Sequence, residues 1–191
     1  MILTDREIKH SLDSGLISIT PLPDKEAYAS TSVDLTLAPK IRVYNQQAIG
    51  VDAAIDPAVS GFDVMQVIKS LSEERDIDPS DGYVLKGRHL ILAWTRERVQ
   101  LHEHGRVSAR VEGKSSLARL GLAIHVTAPT IHCGFKAPSI QLEVINHGPL
   151  PIRLRIGMPI CQLIFEQTLG MPENAYKGRF AEQGPTVTPA A

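Results

Sequence analysis

The sequence is poor in cysteine and contains no long apolar run. Only two of its 191 residues are cysteines, Cys133 and Cys161, which excludes a framework of disulfides and suggests a reducing compartment. No stretch approaches the roughly twenty apolar residues that a membrane helix needs. The opening MILTDREIKHSLDSG mixes acids and bases, unlike a secretory signal. We therefore expect a cytoplasmic protein with no membrane partner.

The chain also lacks an excess of charge of either sign. Lysine and arginine total 20 against 21 aspartates and glutamates, a formal net charge of -1. Surfaces that bind nucleic acid or anionic membranes usually show a basic excess, so we expect no nucleic-acid partner. A length of 191 residues suits one domain with a substantial core. Without an internal repeat or a linker, residues 1–191 are predicted to form a single domain.

Helical signals are few. Thr4 and Glu7 have the spacing of a capping box, which predicts a short helix that ends near Gly15. Apolar side chains at helical spacing predict a second helix near residues 62–71, inserted between strands. The residues before this helix, 45–61, and the polar residues after it are predicted to be loops. The polar tail 171–191 is either disordered or a flap that orders over a ligand.

Short apolar segments of strand character dominate the rest of the chain. Glycine, proline and His-Gly pairs separate them. Many short strands with few helices predict a β-dominated fold, a barrel or sandwich with small α additions. The predicted strands are 16–19, 32–37, 41–44, 89–95, 107–111, 123–127, 139–145 and 160–165.

One segment in this strand-like region has the chemistry of a phosphate site. Residues 113–122, GKSSLARLGL, place two adjacent hydroxyls beside two cations, between two glycines. Hydroxyl and backbone donors with a nearby guanidinium suit the oxygens of a polyphosphate. The residues alone leave a solvated turn as the alternative.

A second candidate is a single carboxylate, Glu143, in the alternating segment IQLEVIN at residues 140–146. A half-buried carboxylate of this kind is either a catalytic base or a structural residue. His125 is equally open to interpretation, as a hydrogen-bonded core histidine or as a site residue. Asp34 is better explained as a structural tie. A phosphate site together with a buried carboxylate is the working hypothesis.

Several motifs stand in order along the chain: the opening segment at 2–21, SVDL at 32–35, the strand pair at 83–95, GKSSLARLGL, HVTA at 125–128, Leu142-Glu143 with Asn146, and GMPI at 157–160. In this order and at compatible spacing they resemble the motifs of the dCTP deaminases, which belong to the trimeric dUTPase-like superfamily. The similarity runs from Ile2 to about Gly184. Several motifs in order are far more specific than one.

The resemblance implies a fold, an assembly and a reaction. The fold is a distorted dUTPase-like β-barrel, and the assembly is a homotrimer with active sites between its subunits. The reaction is hydrolysis of dCTP to dUTP and ammonia without zinc. The sequence contains neither the H-x-E nor the P-C-x-x-C motif of zinc nucleobase deaminases, so no metal-ligating residue is expected. Mg²⁺ is implied through the triphosphate, and dTTP is a candidate inhibitor.

By the same resemblance, three residues take catalytic roles. Glu143 matches a glutamate that accepts a proton from water and returns it to the substrate, and burial that raises its pKa suits both steps. Ser115 matches a serine that holds the water. Arg119 matches an arginine near the reacting end and the phosphates.

The resemblance also implies contacts to the rest of the nucleotide. Lys114 and Ser116 are expected at the phosphates, and the main chain of HVTA is expected to read the edge of the cytosine. Residues of the tail are expected to stack on the nucleotide and to neutralise its outer phosphates. The full set is Lys114, Ser116, His125, Val126, Thr127, Ala128, His132, Gln162, Tyr176, Lys177, Arg179 and Gln183.

The chain departs from the family in the loop after HVTA. Where the family has I-D-P-G-[FW]-x-G, residues 131–137 are IHCGFKA, so His132 replaces an aspartate that approaches the sugar. An imidazole brings no negative charge to orient a water for attack on phosphate. Two alternatives remain: a bifunctional dCTP deaminase and dUTP diphosphatase, or a dUTPase, and a non-catalytic regulatory relative that binds deoxynucleotides.

Overall fold

A computed structural model describes residues 1–45 and 54–174. Within them the β-dominated class is confirmed, because thirteen strands accompany only three α-helices and one 3₁₀ turn, Lys25–Ala27. The helices are α1 (Asp5–Asp13), α2 (Val64–Leu71) and α3 (Ser115–Ala118). The strands are β1 (Ile17–Thr20), β2 (Tyr28–Ala29), β3 (Ser32–Tyr44), β4 (Ser72–Asp76), β5 (Tyr83–Leu85), β6 (Leu90–Thr95), β7 (Arg98–Leu101), β8 (Val107–Gly113), β9 (Leu122–Ala123), β10 (Thr130–Ile131), β11 (Gln141–Asn146), β12 (Ile152–Leu154) and β13 (Pro159–Gln167).

Most strands pair into one curled antiparallel sheet. Its order is β10-β8-β13-β3-β6-β11-β9, and β2 and β4 also pair with β3. Two small sheets, β1-β7 and β12-β5, complete the described architecture. Side chains that alternate along β3, β8 and β13 fill the core, and Val33, Leu35, Leu163 and Phe165 are fully buried there. No helix in residues 1–45 or 54–174 is long and apolar enough to cross a membrane.

The long strand β3 corrects the prediction of two separate strands at 32–37 and 41–44. Its first half pairs with β13, and its second half pairs with β6 and β4. The register against β6 shifts between Leu37 and Ile41. The segment around Pro39 is therefore an irregularity within one strand, not a turn, because proline is tolerated where the ladder is interrupted. This shift lets one strand join two parts of the sheet.

Two further segments differ from the sequence prediction. The polar residues after α2, predicted as loop, form β4, in which Glu74 pairs with Lys40 and Arg42 of β3 at 3.3 Å each. A solvated strand of charged residues shows no apolar alternation, so the sequence pattern missed it. The strand predicted at 123–127 is shorter than expected. Only β9, Leu122–Ala123, is paired, because the chain leaves the sheet before His125.

The segment with the paired serines forms a short helix after β8. β8 ends at Gly113, and α3 begins at Ser115 with Lys114 as its N-cap residue. The helix α1 is confirmed, with Thr4 as its N-cap residue. The predicted capping contacts differ, because the Thr4 side chain makes no hydrogen bond to the helix backbone and its hydroxyl is instead hydrogen bonded to the carboxylate of Glu7.

Candidate active site

Strand β11 determines where Glu143 points. Leu142 and Val144 turn into the core, while Glu143 lies on the opposite face and is half-buried. Its partner across the sheet is Leu92 of β6. The alternation seen in the sequence therefore places one carboxylate on the outer face of a strand that is paired with β6 on one side and β9 on the other.

Glu143 lines a pocket of about 260 Å³. Three other predicted site residues, His125, Ala128 and His132, line the same pocket. They belong to the chain between β9 and β11, which crosses in front of the carboxylate. The structure therefore places the predicted proton acceptor, Glu143, beside part of the segment that is expected to recognise cytosine.

The environment of Glu143 favours the neutral carboxyl group. Burial raises the pKa of Glu143, and this effect exceeds the opposing ones. The main-chain N–H of Val126 donates to Oε2 at 3.4 Å, and this bond and the charge of His125 lower the pKa in part. A carboxyl group with a raised pKa accepts a proton more readily than usual because its site disfavours the charge, so it can serve both as base and as acid.

His125 lies at the pocket and is not a fully buried core histidine. Its side chain is 26% exposed, and Nε2 lies 3.9 Å from Oε2 of Glu112 on β8. The Nδ1 atom is buried and has no hydrogen-bond partner in the part of the chain that the structure describes. The side chain of Val126 points outward and is 56% exposed, which leaves its N–H to face Glu143.

The predicted catalytic residues on and after α3 do not line this pocket. Ser115, Ser116 and Arg119 are all exposed. Arg119 instead borders a separate, mainly apolar cavity of about 560 Å³, with Leu120 and Leu150 at its edge. Within one chain, the two serines and Arg119 thus lie outside the carboxylate pocket, although His125 borders both that pocket and a cavity of about 350 Å³ beside α3.

Lys114 and Gln162 brace the start of α3. The ammonium of Lys114 pairs with the carboxylate of Asp34 on β3. Gln162 accepts from the Ser32 hydroxyl at 2.6 Å and donates to the carbonyl of Gly113 at 2.9 Å. These contacts agree with the interpretation of Asp34 as a structural tie. They also hold the first residues of the serine segment against the sheet.

Sequence reasoning missed several residues near the carboxylate. Thr130 and Gln141 line the Glu143 pocket. Tyr44 lies within electrostatic reach, since burial first and then the charge of Glu143 raise its pKa. Only Gln141 carried a usable signal, because it stands two residues before Glu143 on the same strand face. The predicted tail residues Tyr176, Lys177, Arg179 and Gln183 lie outside the described residues.

Known proteins are similar in sequence to this chain over most of its length. The family model described as dCTP deaminase-like matches residues 2–168. A dCTP deaminase of Rhodospirillum rubrum is 36% identical over 177 residues, which cover 92% of this chain and 87% of the relative. One from Marinomonas sp. is 38% identical over 180 residues, covering 94% and 90%. A dUMP-forming dCTP deaminase of Sulfurihydrogenibium sp. is 35% identical over 187 residues, covering 98% and 95%.

A solved structure agrees with these matches. The 2'-deoxycytidine 5'-triphosphate deaminase from Agrobacterium tumefaciens superposes with a TM-score of 0.64 at 25% identity and covers 87% of this chain. This chain covers 48% of that longer chain. The chain belongs to the dCTP deaminase-like family.

Proposed function

We propose that this protein removes the amino group from the cytosine of dCTP by hydrolysis, which gives dUTP and ammonia. The observation that carries the proposal is the half-buried carboxyl group of Glu143, whose pKa burial raises, in a pocket lined by the segment expected to read cytosine. Membership of the dCTP deaminase-like family and relatives of that name at 36–38% identity support it.

Glu143 can serve as base and then as acid in this reaction. Its carboxylate takes a proton from a water as the oxygen adds to C4 of cytosine, and the protonated group then delivers that proton to the ring. The carboxylate next takes the proton of the new hydroxyl group at C4 and passes it to the amine, so that the C4–N4 bond breaks, ammonia leaves, and a carbonyl remains at C4. A raised pKa brings the two protonation states of Glu143 closer in energy, which suits a group that must cycle between them.

The other residues bind and orient the nucleotide. We propose that Ser115 holds the attacking water, that Arg119 stabilises charge near the reacting end, and that Ser116 contacts phosphate oxygens. Lys114 contributes charge to the same phosphates while it stays paired with Asp34. The remaining proposed contacts are main-chain groups of His125, Val126, Thr127 and Ala128, with His132 at the sugar, Gln162 near the nucleotide, and Tyr176, Lys177, Arg179 and Gln183 from the tail.

The proposed site needs two copies of the chain. Ser115 and Arg119 do not line the Glu143 pocket of their own chain, and we propose that a neighbouring subunit supplies them. Leu120 and Leu150, which are 61% and 74% exposed beside Arg119, would be covered by such an interface. We propose a homotrimer of single-domain subunits, with α2 as an insertion and the tail as a flap over the nucleotide.

Mg²⁺ enters the proposal with the substrate. A triphosphate in cells is carried largely as its magnesium complex, and magnesium prefers phosphate oxygens and water as ligands. We therefore propose that Mg²⁺ binds with dCTP, and that the end-product analogue dTTP competes for the same site.

The second candidate is a bifunctional enzyme that also releases pyrophosphate. The observation in its favour is the dUMP-forming relative from Sulfurihydrogenibium sp.. Against it, His132 in the pocket replaces the expected aspartate, and among the described residues that line the Glu143 pocket only Glu143 is a carboxylate. A pocket of this composition favours dUTP as the product.

Product analysis of the reaction with dCTP and Mg²⁺ tests the proposal. We expect ammonia and dUTP in equal amounts and no pyrophosphate. Glu143→Gln should lose activity by roughly a thousandfold or more while it still binds dCTP, whereas Glu73→Gln, on the exposed strand β4, should keep full activity. Pyrophosphate with dUMP would establish the second candidate. Binding of dCTP without ammonia would establish the regulatory relative.

A further inference from the structure

The strand that carries Glu143 ends in a fully buried polar side chain, Asn146. Its amide nitrogen donates to the carbonyls of Leu85 at 3.1 Å and Leu150 at 2.8 Å. Its amide oxygen accepts from the N–H of Gly148 at 2.9 Å. A buried amide with three hydrogen bonds holds its surroundings in a single arrangement. Asn146 thus defines the path of the chain as it leaves β11.

At Gly148 the backbone of this turn packs closely against the backbone of the residues that follow α3. A Cβ atom at Gly148 would lie 2.5 Å from the carbonyl oxygen of Leu120, and one at Gly121 would lie 2.4 Å from the nitrogen of Gly148. The N–H of His147 donates to the carbonyl of Gly121 at 2.7 Å. The backbones at Gly121 and Gly148 can approach this closely because neither of these two residues has a side chain.

The contacted residues end the helix that bears the serines. Leu120 and Gly121 donate to the carbonyls of Leu117 and Ala118 at 3.0 and 2.9 Å. Arg119 lies immediately before them. The next residues form β9, which pairs with β11 at Leu122 opposite Asn146. The turn after β11 therefore contacts the C-terminal end of residues 115–119, which we call the serine–arginine segment.

We propose that Asn146 and Gly148 are positioning residues, which fix the segment from Ser115 to Arg119 on the sheet of its own chain, from where it would enter the site shared with a neighbouring subunit. The inference rests on the proposed function, because it gives that segment a role in binding the triphosphate. Neither residue needs to touch the substrate, since both act through Leu120 and Gly121. A purely structural role is the alternative that the experiment must separate.

Gly148→Ala tests the inference directly. The added methyl group must displace the backbone of Leu120, while the backbone conformation of Gly148 itself suits alanine. Displacement of a binding group by about 1 Å can cost a hundredfold in rate, so we expect kcat/KM for dCTP to fall roughly ten- to a hundredfold at 25 °C. Gly170→Ala, where the methyl group meets open space, should match the wild type.

Gly82→Ala is the matched control for lost stability. Its Cβ would lie 2.4 Å from the carbonyl oxygen of Leu154, in a left-handed conformation with φ of 72°. The close approach is comparable and the left-handed conformation adds further strain, but the atoms nearest Gly82 belong to residues 153–155 and not to the serine–arginine segment. We expect a lower Tm with kcat/KM within about twofold of wild type. If Gly148→Ala and Gly82→Ala lose kcat/KM only in proportion to their lost Tm, the positioning role is wrong.

Variants of Asn146 keep the inference testable if Gly148→Ala does not fold. A serine oxygen can accept from the N–H two residues on, as the amide oxygen of Asn146 does, although more weakly. Asn146→Ser should therefore recover part of the kcat/KM that Asn146→Ala loses. Equal kcat/KM for the serine and alanine variants would contradict a role for the turn.

A binding measurement separates this inference from the proposed function. We expect Gly148→Ala to bind inorganic tripolyphosphate at least about tenfold more weakly than wild type by calorimetry, with Gly82→Ala unchanged. If the wild type releases no ammonia but these affinities differ as expected, the proposed reaction fails and the positioning role stands. If the wild type deaminates dCTP while Gly148→Ala keeps both wild-type kcat/KM and affinity, the positioning role alone fails.

Discussion

The carboxyl group of Glu143 couples folding to pH because its surroundings disfavour the charge. Burial raises its pKa above the ordinary value of 4.5, against partial opposition from the N–H of Val126 and the charge of His125. In the unfolded chain that ordinary value returns. The native state therefore holds more protons than the unfolded state between pH 4.5 and the raised pKa, and the free energy of unfolding falls as pH rises through that window.

Glu143→Gln should remove this loss of stability. We expect the Tm of the variant relative to wild type to rise as pH increases from 4.5 through the raised pKa, because glutamine carries no charge to bury. Thermal unfolding across this pH range measures the difference. Glu73→Gln, which removes the same formal charge at an exposed position, is the control for the change in net charge. A Tm difference independent of pH would mean that Glu143 titrates alike in both states.

At the scale of elements, a buried carboxylate anchors the turn between β6 and β7 to β3. Glu97 is only 5% exposed. Its two oxygens accept from the N–H of Thr36 at 2.8 Å and from the Thr36 hydroxyl at 2.6 Å. Both donors are thereby satisfied at the point where β3 passes between two parts of the sheet.

Glu97→Ala should destabilise the protein without touching the proposed site. Removal of the carboxylate leaves the N–H of Thr36 without its acceptor, a cost of about 1–3 kcal/mol, which lowers Tm by roughly 2–12 °C for a chain of this size. Thermal unfolding measures it. Glu97→Gln keeps one acceptor and should lose less. Glu73→Ala, at an exposed position, should change Tm little, and a loss as large as that of Glu97→Ala would refute the buried anchor.

At the scale of the whole molecule, the proposed catalytic groups lie on two surfaces of the same chain. The Glu143 pocket forms one surface, and the exposed segment with Ser115 and Arg119 forms another. A closed symmetric oligomer can bring the first surface of one subunit against the second surface of the next. Each active site would then draw on two chains.

Subunit mixing tests this arrangement. Arg119→Ala and Glu143→Gln should each be inactive alone. Co-expressed in equal amounts, they should regain about a quarter of wild-type activity, because random mixing pairs an intact Glu143 with an intact Arg119 in that share of interfaces. The double variant Arg119→Ala/Glu143→Gln mixed with either single variant is the control and should stay inactive. No recovery in the first mixture would place both residues in the same chain's site.

Local patterns were sufficient for some parts of this protein. The capping pair Thr4 and Glu7 predicted α1, and the alternation around Glu143 predicted β11, because helical and strand periods are properties of neighbouring residues. The family resemblance rested on ordered motifs and was confirmed by relatives that match most of the chain. The sequence patterns did not predict the irregularity at Pro39 or the charged strand β4, because both depend on pairing with a distant strand.

The sequence by itself determined the β-dominated class, the family and the identity of the candidate carboxylate. Only the tertiary structure decided which candidates meet: it joined His125 and His132 to Glu143 in one pocket and left Ser115 and Arg119 on another surface. It also brought Gly148 against Leu120, a contact between residues 28 positions apart. Such contacts depend on how strands pair across the sheet, and neighbouring residues in a sequence carry little information about that pairing.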